Sequence, residues 1–98
     1  MNEDTPFAHI LHRETIEKLA NGFALERGQR YARERRVRDL ACAGGRLVAE
    51  VVGSELYRVS IWVGNDRLGY VCTCPQGADG NFCKHCVAVA ITWVERRS

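Results

Sequence analysis

The chain has 98 residues, 46% of them apolar and 27% charged, with a formal net charge of +2. This length admits one small domain, the apolar share excludes wholesale disorder, and so nearly neutral a charge makes no case for nucleic acid by itself. No apolar run approaches the roughly 20 residues of a membrane helix, and the polar start from Met1 to Pro6 lacks a signal-peptide core, so a reducing, cytoplasmic setting is expected.

Residues 1–13 read as a lead-in, from which Phe7, Ile10 and Leu11 are suited to dock on a single small domain over 14–98. Thr15 to Ala20 predicts a short helix with Ile16 and Leu19 three apart, and Asn21-Gly22 reads as its stop. A second helix is expected over Ala24 to Glu34, with Leu25, Gly28, Tyr31 and Ala32 on one side. Gly28 costs about 1 kcal/mol of helix propensity there against Ala, which close approach to another element would offset.

The period then changes to two. Val37, Asp39, Leu40 and Cys42 lead into Gly44-Gly45, a two-residue hairpin signal. Arg46 to Val52 follows with Leu47, Ala49 and Val51 on one face, and Gly53-Ser54 marks the next turn. Leu56 to Val63 places Tyr57, Val59, Ile61 and Val63 opposite Arg58, Ser60 and Trp62; after Gly64-Asn65-Asp66, Arg67 to Cys72 returns as a fourth strand. A last helix over about Lys84 to Arg96 is apolar nearly all round, the mark of an element buried on more than one side. The fold class is α+β: N-terminal helices, a four-stranded antiparallel meander, and a C-terminal unit of strand, knuckle, loop and helix over 68–95.

That last unit carries the chemistry. Cys72 and Cys74 are one residue apart, and Cys83 and His85 repeat the spacing after a loop rich in turn formers: Pro75, Gly77, Asp79, Gly80 and Asn81. Two such pairs of thiolate and imidazole donors suit tetrahedral zinc, bound at about 2.0–2.3 Å with four protein ligands closing the shell. Cys83 and Cys86 also form a C-x-x-C pair, so a four-cysteine set with His85 turned outward satisfies zinc equally well. A dithiol oxidoreductase built on Cys83 and Cys86 is a rival reading, since a helix N-terminus lowers a thiol pKa. It ranks below structural zinc, because the twelve residues after Cys86 leave no room for a βαβ unit. Catalytic zinc needs an open position and a nearby carboxylate, and only Asp79 is close in sequence. Disulfides fit poorly with a reducing compartment and an odd count of five cysteines. No enzyme activity is expected.

The run Cys72-Thr73-Cys74-Pro75 followed by Phe82-Cys83-Lys84-His85-Cys86-Val87-Ala88 resembles the SWIM zinc finger, a CxC, spacer, CxH pattern. The segments Glu26 to Leu40 and Val51 to Val59 also look like the small domain preceding the finger in bacterial members, so the resemblance spans about 22–94. It implies zinc held by Cys72, Cys74, Cys83 and His85, with Cys86 a small buried hydrophobe on the helix. It also implies binding to DNA or to another protein, the second as a module beside a larger partner such as a chromatin-remodelling-type ATPase.

The one charge asymmetry agrees with a nucleic-acid partner, DNA or RNA. Arg27, Arg30, Arg33, Arg35, Arg36 and Arg38 stand against Glu34 alone, and the first three can form a helical stripe. Arginine forks suit phosphate, and Arg27, Arg30, Arg33, Arg35 and Arg36 are the candidate contacts. The plain alternative is a solvated face paired with Glu26, Glu34 and Asp39. Trp62 is the best candidate for an exposed ring, serving a stacked base or a protein interface.

Overall fold

The computed structural model describes residues 7, 10–65 and 67–97; most of the lead-in, Asp66 of the third turn and Ser98 lie outside the described residues. The elements are α1 (Arg13–Leu19), α2 (Gly22–Arg33), β1 (Val37–Ala43), β2 (Arg46–Val52), β3 (Leu56–Gly64), β4 (Arg67–Cys72), α3 (Pro75–Ala78) and α4 (Lys84–Arg97). The fold is α+β. The strands form one sheet in the order β1-β2-β3-β4, every pair antiparallel, as the alternating pattern and glycine turns predict.

The inner face of the sheet presents Leu47, Ala49, Val51, Val59 and Ile61, all buried, to α4. Every residue of α4 from Cys86 to Ile91 is buried, because α2 covers the side the sheet leaves open. The two helices meet at Gly28, where an added Cβ would lie 2.3 Å from Val87 Cγ1 and 2.8 Å from the Lys84 carbonyl oxygen. The glycine that weakens α2 as a helix is therefore what lets it reach α4. Beyond α2, Phe7 and Leu11 are buried with Ile16, and the Phe7 ring meets Trp93 edge-on at 5.7 Å.

Three local readings are corrected. Asn21-Gly22 does not simply end the first helix: Asn21 is the N-cap of α2, its side-chain oxygen accepting from the Ala24 N–H at 2.8 Å. β1 is not regular. Arg38 pairs with Glu50 and Ala41 with Val48, so Asp39 and Leu40 together oppose Ala49, and Asp39 takes φ 55 at this bulge. The spacer between the ligand pairs is not all loop, since Pro75–Ala78 makes one helical turn with proline at its start.

Candidate metal centre and its surroundings

The end of β4, the turn into α3 and the start of α4 converge on one point. Cys72, Cys74, Cys83 and His85 are all buried there, with one ligand atom from each lying within 4.8 Å of the others. The His85 Nδ1 faces the sulfurs, 3.6 Å from Cys72 Sγ and 3.7 Å from Cys83 Sγ. Zinc–sulfur and zinc–nitrogen bonds of about 2.3 and 2.0 Å imply tetrahedral edges of roughly 3.6 Å between sulfur and nitrogen. The donors thus have the type, number and spacing that zinc takes, with Nδ1 as the imidazole ligand atom.

The backbone shapes this corner closely. The N–H of Gly77 donates to Cys74 Sγ at 3.3 Å, as a turn does when it cradles a thiolate. A Cβ at Gly77 would lie 2.5 Å from Cys72 Cβ and 2.6 Å from its carbonyl oxygen, so only glycine allows the two ligand residues to fold over each other. The carbonyl of Cys83 accepts from the Val87 N–H at 3.0 Å in the first turn of α4, placing its sulfur by the positive end of that helix. Hydrogen bonds from Cys72, Cys86 and His85 pull the Cys83 thiol well below its usual range. Cys72 and Cys86 are pushed well above theirs, first by donating to Cys83 and then by burial.

The imidazole is held by aromatic rings. Tyr57 stacks on His85 with centroids 4.4 Å apart and planes 29° apart, and Tyr31 sits at 5.7 Å. The Tyr57 hydroxyl is fixed by Ser54 at 3.0 Å. Sequence reasoning missed both Tyr57 and Gly77 as parts of the site. The alternation of β3 pointed Tyr57 inward, but nothing in it tells that His85 is what it meets.

The two candidate fourth ligands separate clearly. His85 points into the cluster, while Cys86 reaches only Cys83, at 3.8 Å, and is completely buried against the core. The geometry favours the Cys3His set and leaves Cys86 as packing.

The arginines divide as well. Arg36 is engaged within the fold: it pairs with Glu34 at 2.7 Å, donates to the Val52 carbonyl at 3.1 Å and lies 4.9 Å over the Tyr31 ring. Arg27, Arg30, Arg33, Arg35 and Arg38 are exposed and form no ion pair among the described residues. Trp62 is half-buried, laid across Gly69 with Arg46 stacked 4.5 Å above it, rather than a free ring. The ring that does stand in solvent is Phe23, 78% exposed. No helix among the described residues is long and apolar enough to cross a membrane.

A closed Cys3His centre set between a strand end, a tight turn and a helix start defines a zinc-finger module. Residues 57–93 match the family model of the SWIM zinc finger, and the Cys3His group within them supports zinc as the cofactor. The match runs from Tyr57 in β3 to Trp93 in α4, leaving α1, α2, β1 and β2 outside it. No curated protein and no solved structure matches the chain.

Proposed function

We propose that this protein is a zinc-stabilised nucleic-acid-binding module that performs no covalent chemistry. The observation that carries this reading is the set of exposed arginines, Arg27, Arg30, Arg33 and Arg35, that form no ion pair among the described residues. Here only Arg36 pairs, which leaves the others open to phosphate. The metal's part is structural, since four protein donors complete its shell and leave no position for a reacting water.

Fluorescence anisotropy with a labelled oligonucleotide at 50 and 200 mM salt tests this. Three to four phosphate contacts give a log–log slope of about −3, or roughly 60-fold weaker binding at the higher salt. Arg30→Ala/Arg33→Ala should flatten the slope by about two units whatever the sequence. Salt-independent binding, or an unaffected double variant, would count against the proposal.

One observation favours a protein partner instead. The outer sheet face exposes Val48 and Val71 on a row that also holds Ser60, beside Trp62. On that reading a larger protein covers this face, and Val48→Lys/Val71→Lys abolishes the complex while leaving nucleic-acid binding intact. A complex that survives the double variant refutes it.

A further inference from the structure

Phe23 occupies the first turn of α2, where nothing in the packing requires an aromatic ring: Asn21 caps the helix, and Ala24 and Gly28 make the buried contacts. Its ring forms one wall of a cleft of about 340 Å³ lined also by Asn21, Ala24, Arg27, Gln76 and Lys84. Two of these residues are cations and none is acidic. A second cleft of about 230 Å³ shares Gln76 and Lys84 with it and is otherwise lined by Tyr57, Pro75 and the ligand residues Cys74, Cys83 and His85, so it belongs to the metal site. The first cleft is thus a groove between the start of α2 and the finger. Phe23, Arg27 and Arg30 follow one another at positions i, i+4 and i+7, so the groove opens onto the arginine face of α2.

We propose that this groove binds single-stranded nucleic acid, with Phe23 stacking an unpaired base and Arg27 and Lys84 holding the flanking phosphates. The inference rests on the nucleic-acid reading above and adds to it a strand state and a location. An exposed aromatic ring beside cations is the pairing that single-strand sites use, because every base offers a π-face and every link a charge. A duplex turns its base faces toward each other and leaves such a ring without a partner. Gln76, between the two clefts, supplies an amide donor and acceptor for a base edge. Lys84 and Gln76 belong to the elements that Cys83 and Cys74 tie to the metal, so the groove is complete only when the finger is.

The test uses the zinc-loaded full chain, with a labelled 15-nucleotide oligothymidine and a 15-base-pair duplex compared by anisotropy at low salt. The single strand should bind more tightly. Phe23→Ala should weaken it on the order of tenfold or more and leave the duplex unchanged, whereas Phe23→Trp should retain single-strand affinity. Arg27→Ala/Lys84→Ala should weaken it further and reduce its salt slope by about one to two units. Phe23 is exposed, so equal zinc content and melting temperature for the Phe23 variants verify that folding is untouched. Equal binding of both probes, or a single strand indifferent to Phe23→Ala, overturns the groove assignment while leaving the arginine reading standing. Binding to neither probe overturns both. Direct binding of a labelled acidic peptide that is lost in Phe23→Ala, with no oligonucleotide binding there, assigns the groove to a protein ligand and likewise overturns the proposal.

Discussion

Two regions meet on α4 and are held together by different forces. Along its middle, Val87, Val89, Ile91 and Trp93 are buried among strands, α2 and the Phe7 ring, each contributing about 1.5–3 kcal/mol by leaving water. At its start lie the ligand residues and the Tyr57 and Tyr31 rings on His85, beside a spacer whose Pro75, Gln76, Ala78, Asp79, Gly80 and Asn81 are all exposed and whose Phe82 meets Tyr70. Packing secures the first region. The second packs fewer apolar side chains and adds the metal, whose binding contributes roughly 10–16 kcal/mol of apparent free energy in small fingers. The difference teaches that one helix can belong to a core and to a metal site at once, with stability unevenly divided along its length.

The sharpest way to break this comparison is to take the metal away. Chelation, or Cys74→Ser, should cost the spacer and the first turn of α4 their amide-exchange protection while β2 and β3 stay protected longer. Uniform protection with and without chelator would show that zinc is dispensable to the corner. Next in size is Gly28→Ala, which drives a methyl into Val87 and the Lys84 carbonyl. A loss of about 1–3 kcal/mol should appear as a lower melting temperature with zinc content still near one per chain. If zinc were lost before the melting temperature fell, the two regions would be less separate than described.

Gly77→Ala should act in the reverse sense, lowering zinc affinity because its methyl would collide with Cys72, and changing the zinc-loaded core little. Competition with a chromophoric chelator reads this directly, and an unchanged affinity would remove Gly77 from the site. The smallest effect belongs to Cys86→Ala, which should retain zinc and lose only about 1 kcal/mol of packing. Lowering pH offers a graded version of the first experiment. Zinc needs its cysteines as thiolates, and Cys72 starts above its ordinary value, so protons must leave on binding. The zinc fraction surviving dialysis should therefore be smaller at pH 5.5 than at pH 7.5.

Much of the architecture was legible because its signals are periodic. β2 and β4 fall where alternation put them, and α4 is as buried as its lack of a polar face required. The spacing of Cys72, Cys74, Cys83 and His85 announced the metal. What escaped was non-periodic. Asp39 at positive φ gives no warning in a sequence where glycine is the usual occupant of that conformation. Pro75–Ala78 is one helical turn made of residues that equally suit a loop. Asn21 reads alike as the end of one helix and the cap of the next, and only the Ala24 N–H decides. The choice of Nδ1 over Nε2, the Tyr57 stack and the bareness of Phe23 depend on elements distant in sequence, so no local pattern encodes them. Trp62 shows the converse: alternation placed it outward, but the empty site across the strand at Gly69 gave it somewhere to lie.

The central place of α4 also has a consequence in time. A ribosome makes the strands before the helix that covers them, and Leu47, Val51, Val59 and Ile61 face inward on a sheet with nothing yet to meet. Cys72 and Cys74 likewise emerge before Cys83 and His85. Roughly 25 residues separate the end of β4 from the end of α4, which at about 5–20 residues per second is an interval of one to five seconds. During it the nascent chain offers an uncovered apolar sheet and half a metal site, and arrival of the helix closes both together.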